Sequence, residues 1–275
     1  NIKSQCGKDK VLISLISYVL EKGHYDAKDF DDEFSEQVFN DFITALDPLK
    51  RYFLASDIKE FEVYKDQIDD QIRKEDITFF DMAYTRLRER MEESKKIYEE
   101  VLDKPFDYTD EDSIDTDYEN VAYAKNRKEL KERWENQLKF SAIGTYYDRI
   151  QEEDKKAKDS TGYTLMSNEA LEEEARKTTK DSYAEYFEFA DELDRDDYFS
   201  VYINSIVEEF DPHTTYFAPV DKDRFDMQMS GQFQGISARL QKKSNEISIT
   251  EIISGGPAWR GEQLEEGDII LKVKQ

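Results

Sequence analysis

The sequence predicts a mainly α N-terminal helical domain over residues 1–210, followed over residues 211–275 by a smaller α+β module. Three observations carry this. Apolar residues recur at helical spacing through the first two-thirds of the chain. At Asp211-Pro212 the pattern changes to short alternating runs of β-branched residues between glycine turns. Finally, 38% hydrophobic and 13% aromatic residues suffice for a core despite a net charge of -25. A solvating, disordered acidic chain would carry few aromatics, whereas this one has 17 Tyr and 17 Phe.

The helical elements read in order. Val11, Leu12, Leu15, Ile16, Val19 and Leu20 form a first stripe, and Gly23 stands where a helix stops. Phe34, Val38, Phe39, Phe42, Ile43 and Leu46 form a second, with Asp31 or Asp32 as N-cap and Asp47-Pro48 as its break. Ile58, Phe61, Tyr64, Ile68 and Ile72 form a third stripe, behind a near miss for a capping box at Ser56 and Glu60. A long helix is predicted from about Phe79 to Leu102 and ends before Pro105. Its charges alternate in sign and read as a solvated face with i,i+4 support. Further helices are expected from Lys128 to Ile150, through Tyr183–Leu193, and through Tyr198–Val207. Broad, interrupted stripes indicate a bundle rather than a coiled coil.

Two acidic stretches read as loops, near 107–120 and 152–174. Asp107–Asp117 lacks the glycine of a calcium loop and reads as an exposed linker. The second carries Ser160-Thr161-Gly162 and reads as a mobile connection. The strands fall at Ile236–Leu240, Ile247–Thr250 and Ile269–Val273, with turns at Ser244-Asn245, Ser254–Pro257 and Glu266–Asp268.

Composition excludes several function classes. A surface this acidic repels nucleic-acid phosphates and anionic head groups, so no nucleic-acid partner is expected. The lone cysteine, Cys6, has no partner for an intramolecular disulfide, and the residues before it lack the small apolar run of a lipoprotein anchor. No stretch approaches the ~20 apolar residues of a transmembrane segment, and no signal peptide is visible. A mature exported protein would look the same. His24 and His213 are the only histidines, too few for a Ser-His-Asp or zinc site. With no phosphate loop, CxxC pair or nucleophile elbow, the residues present offer no catalytic centre and call for no cofactor or metal.

The β-rich module offers more. Gly231-Gln-Phe-Gln-Gly-Ile-Ser-Ala-Arg-Leu240 places a glycine turn directly before an alternating strand. Successive N–H groups in such a turn can hold an anion, and a strand edge can pair with an extended peptide. Together they would take a polypeptide by its C-terminal carboxylate. Downstream come Gly256-Pro257-Ala258 and Leu264-x-x-Gly267-Asp268-x-Ile270-x-x-Val273.

In this order the elements resemble the bacterial PDZ domain, where a glycine loop opens the binding strand and a Gly-Asp turn follows a Gly-Pro-Ala segment. Phe210-Asp-Pro-His-Thr-Thr-Tyr-Phe217 and Phe225-Asp-Met-Gln-Met-Ser-Gly231 resemble the lead-in to the PDZ domain of tail-specific (carboxy-terminal processing) serine proteases. Ala45-Leu-Asp-Pro-Leu-Lys-Arg-Tyr-Phe-Leu-Ala-Ser-Asp-Ile58 is similar to a motif in the N-terminal helical domain of that family's long members. The resemblance implies a helical domain plus an incomplete PDZ domain from a periplasmic or cell-envelope endopeptidase, exported, with C-terminal tails of polypeptide substrates as partners. Its Ser-Lys dyad would lie in a core beyond Gln275, with no counterpart here and no cofactor. A lysine near its neutral state would take the serine proton. Phe233, Gln234, Gly235, Ile236, Ser237 and Ala238 are the implied peptide-contacting strand, with Ile236 and Ala238 on one side and Ser237 on the other. The family's usual glycine is replaced by Ser237, which is harmless in strand geometry and strained at positive φ. The helical domain would dock on the protease core or an adaptor protein. The alternative reading is a non-enzymatic PDZ-containing scaffold or adaptor-binding protein.

Overall fold

The structure is a computed structural model that describes residues 2–23, 29–109, 113–159, 163–218, 222, 238–243, 246–254, 257–261 and 263–272. The chain divides into two compact units, Asn1–Tyr216 and Phe217–Gln275. The first is helical: α1 (Ile2–Gly23), α2 (Asp32–Leu46), α3 (Ala55–Phe61), a 3-10 turn (Glu62–Tyr64), α4 (Ile68–Arg73), α5 (Thr78–Leu102), α6 (Arg127–Asp159), α7 (Asn168–Glu192) and α8 (Arg195–Glu208). The second holds an antiparallel pair, β1 (Ala238–Lys243) and β2 (Glu246–Ile252), and a short helix, α9 (Pro257–Gly261). The predicted mainly α domain followed by a small α+β module is therefore what the chain forms.

The helices begin where their capping chemistry allows. The Asp31 carboxylate accepts the Phe34 N–H at 2.9 Å and starts α2, whose next residues bury Phe34, Val38, Phe39, Phe42, Ile43 and Leu46. At α8 the Asp194 carboxylate accepts the N–H groups of Asp196 and Asp197, while Asp197 accepts the Asp194 N–H at 2.8 Å. That reciprocal arrangement satisfies donors a helix start would otherwise orphan.

The core of the first unit is aromatic. Phe42 meets Tyr202 of α8 with ring centroids 4.9 Å apart, and Phe80 of α5 meets Phe199 of α8 at the same distance. A second cluster joins Tyr98 of α5 to Phe187 of α7 at 5.0 Å, with Trp134 of α6 against Phe187 at 6.1 Å. Offset and edge-on contacts at these distances add about 0.5–1.5 kcal/mol per pair beyond area burial.

Three sequence expectations are revised. The third apolar stripe is not one helix: it breaks at the 3-10 turn into α3 and α4, and Ile68 and Ile72 reach the core from the second piece. Helix covers most of the stretch expected as a connection over 152–174, because α6 runs to Asp159 and α7 starts at Asn168. The buried Glu153 carboxylate accepts the Tyr163 hydroxyl at 2.9 Å and the Met166 N–H at 3.2 Å, tying α6 to residues just before α7. Lastly, the charges of α5 reach other elements as well as their own helix. Arg86 and Arg90 bond Asp57 of α3, and Lys95 and Arg88 bond Asp191 of α7.

Candidate peptide-binding strand

In the second unit, β1 pairs with β2 as Ala238↔Ile252, Arg239↔Glu251, Leu240↔Ile249, Gln241↔Ser248, Lys242↔Ile247 and Lys243↔Glu246. A bulge between Arg239 and Leu240 breaks the regular step, and the Arg239 guanidinium closes a cross-strand pair with Glu251 at 2.8 Å. Beyond β2 lies the 267–270 segment. Ile249, which is buried, donates its N–H to the Asp268 carbonyl at 2.8 Å and accepts the Gly267 N–H at 2.7 Å. Ile270 donates to the Ile247 carbonyl at 2.7 Å. The intervening turn needs Gly267, whose φ of 97° suits no L side chain, and Asp268 fixes it by accepting the Glu265 N–H at 2.8 Å.

These bonds settle which way β1 presents its main chain. Ile247 and Ile249 spend main-chain groups on the 267–270 side, so in an antiparallel ladder Ser248 turns toward Gln241 of β1. Leu240 and Lys242 then direct their N–H and C=O groups away from β2. Among the described residues no strand pairs with that edge of β1. It offers two outward donors and two outward acceptors to an extended segment, the geometry of strand addition. The Leu240 side chain is 48% exposed, and period-two alternation puts it on the same face as Ala238.

Of the residues expected to contact peptide, Ala238 opens β1 opposite Ile252. Phe233, Gln234, Gly235, Ile236 and Ser237 lie outside the described residues.

The two motifs in the first unit do structural work instead. Asp47 follows the last residue of α2, and its carboxylate accepts three successive N–H groups, from Arg51 at 2.8 Å and from Tyr52 and Phe53 at 2.9 Å. Burial pushes this carboxyl above its usual range, opposed by those three donors and by the Arg51 guanidinium. Arg51 itself lies over the rings of Trp134 at 4.8 Å and Tyr186 at 4.9 Å, and Trp134 donates its Nε1–H to the Arg51 carbonyl at 2.7 Å. Asp57 is buried, accepts the Leu54 N–H at 2.9 Å, and takes Arg90 through both oxygens at 2.8 and 2.9 Å, with Arg86 as a second cationic partner. Burial pushes its carboxyl up, but Arg90, the Leu54 N–H and Arg86 together hold it below its usual range.

The Asp211–Tyr216 run behaves alike. The Asp211 carboxylate accepts the His213 N–H at 2.9 Å in an Asx turn, and Asn204 of α8 brackets Tyr216 by accepting its N–H at 2.7 Å and donating to its carbonyl at 3.2 Å. His213 is solvent-exposed. Among the described residues, no group of three or more His, Cys, Asp or Glu side chains is placed to hold a metal ion. Nor is any helix there long and apolar enough to cross a membrane.

Comparison with known proteins matches residues 16–220 to the tail-specific protease N-terminal domain and residues 224–275 to the PDZ domain. A tail-specific protease of Haemophilus influenzae is 28% identical over 257 residues, which is 93% of this chain and 34% of that protein. A probable CtpA-like serine protease of Staphylococcus aureus is 36% identical over 72 residues, 26% of this chain and 14% of that protein. The chain thus spans about a third of the length of the relative it matches almost throughout.

Proposed function

This chain belongs to the tail-specific protease family, and on that premise we propose that it is the substrate-recognition and regulatory portion of a periplasmic Ser-Lys carboxy-terminal processing endopeptidase. Residues 1–210 form its helical domain, and residues 211–275 form the lead-in and the part of the PDZ domain present here. Its ligands are the C-terminal tails of protein substrates. The glycine turn at Gly231–Gly235 and the strand from Phe233 to Ala238 take the terminal carboxylate and the last side chains. The tail then runs along β1 and bonds the outward main-chain groups of Leu240 and Lys242. Catalysis belongs to a separate Ser-Lys core, and the helical domain docks on that core or on an adaptor.

The observation that carries this reading is the edge of β1 left without a strand partner among the described residues. Main-chain pairing supplies affinity without regard to sequence, while side-chain pockets and a carboxylate site supply selection. Hydrogen exchange tests the strand. Adding a tail peptide should slow exchange at the Leu240 and Lys242 amides and leave Gln241, already bonded to β2, unchanged. Slowing at Gln241 alone, or at none of the three, would refute strand addition here.

A further inference from the structure

Helix α1 is held from one side. Ile13 and Leu20 are buried, Leu12 and Ile16 pack against the core, and the buried Asp9 carboxylate accepts the Arg195 guanidinium at 2.6 Å. Arg195 also reaches Asp81 of α5 at 2.7 Å, so α1 is tied to two further helices. The opposite side is apolar and open. Val11 is 66% exposed, Leu15 57%, Tyr18 64% and Val19 54%. Four such side chains on one side of an anchored helix make an apolar patch rather than scattered surface residues.

The spacing says what shape fits. Lys8, Val11, Leu15, Tyr18 and Lys22 follow one another at steps of three, four, three and four, the repeat of a two-helix seam. The seam is about 21 Å long at 1.5 Å per residue. Its ends are Lys8 and Lys22, both exposed. Residues 2–23 carry Lys3, Lys8, Lys10 and Lys22 against Asp9 and Glu21, a basic helix on a chain of net charge -25.

We propose that this face docks an amphipathic helix of a separate protein, one with an apolar stripe and an acidic side chain at each end, about 21 Å apart. Charge complementarity selects that occupant. A second copy is disfavoured because antiparallel packing about Leu15 sets Lys8 against Lys22, and parallel packing sets each lysine against itself. An anionic lipid surface would be repelled by the acidic remainder of the chain. Helix α1 belongs to the first unit and β1 to the second.

The test uses the full chain and two labelled, designed amphipathic peptides of about 21 residues. Both carry leucines at the seam positions; one ends the seam in glutamates, the other in lysines. Fluorescence anisotropy should show the glutamate peptide binding roughly fivefold tighter, as expected for two exposed ion pairs. Leu15→Asp should weaken it more than about tenfold with an unchanged thermal melt, because Leu15 touches solvent rather than core. The Lys8→Glu/Lys22→Glu double variant should prefer the lysine peptide. Equal affinity for both peptides, or indifference to Leu15→Asp, would overturn the proposal. So would a dimer in sedimentation that Leu15→Asp dissolves, which would assign the face to a second copy. Flotation with phosphatidylglycerol vesicles, lost in Leu15→Asp, would assign it to a membrane and overturn it equally.

Discussion

Asp57 is the side chain whose removal the structure makes most costly to explain away. It is buried, and it is shared by the Leu54 N–H, both arms of Arg90 and the guanidinium of Arg86. Asp57→Ala leaves two arginines facing a partly desolvated site. Breaking a buried pair from one side typically costs ~3–5 kcal/mol. Here the lower end applies, because Arg90 keeps Glu93 at 2.9 Å and Arg86 keeps Glu60 at 2.8 Å. The expected loss is about 3 kcal/mol, measured by urea denaturation followed by far-UV circular dichroism. Arg90→Met, combined with Asp57→Ala in a double-mutant cycle, should return a coupling of about 2 kcal/mol, because the apolar partner no longer needs the carboxylate. The pH dependence follows from the depressed carboxyl. Its contribution is fully present above the ordinary value of 3.8 and fades only as pH falls through the lower folded value. The gap between the two proteins should therefore stay flat from about pH 8 to pH 5 and close in stronger acid. A loss under about 1 kcal/mol, or a gap that narrows between pH 7 and pH 5, would refute the assignment.

Other perturbations test neighbouring parts. Trp134→Phe keeps most of the ring contacts but removes the donor to the Arg51 carbonyl. It should cost about 1–2 kcal/mol in the same denaturation experiment, and a neutral result would mean that water replaces the indole. Asp194→Ala removes the α8 cap and should cost about 1 kcal/mol, with the loss confined to stability. Ser237→Gly should leave tail-peptide affinity within a few-fold; a large gain would show that serine strains the turn.

How much of this was legible in sequence depended on the range of the interactions. α2 could be read almost residue by residue because its cap, Asp31, its apolar stripe and its breaker, Asp47-Pro48, are all local. Gly23 marked the end of α1, and Gly267-Asp268 marked its turn, for the same reason. The acidic stretch after Ile150 looked like a connection because its charges outnumber its apolar residues. It is mostly helical because α6 and α7 pack along each other, and that support is tertiary. The Asp57–Arg90 pair spans 33 residues, and nothing local announces it. A signal did exist: Arg86 and Arg90 are four apart and share a face of α5, so a single acidic partner could serve both. In the candidate site, β2 and the Glu266–Asp268 turn were readable from alternation and glycine placement, whereas the strand expected over Ile269–Val273 is, among the described residues, an isolated bridge at Ile269. The direction of the Leu240 and Lys242 main chain was not readable, since it depends on what pairs with the far side of β2.

The most direct test of tail recognition compares one tail peptide as the free acid and as the C-terminal amide, titrated against this chain by isothermal calorimetry. Loss of charge-assisted bonds to a main-chain anion site should weaken the amide roughly tenfold or more. Binding of the free acid with that preference is the predicted result. Equal affinity for the two forms would contradict the account, because the chain would then be holding peptide without reading its end.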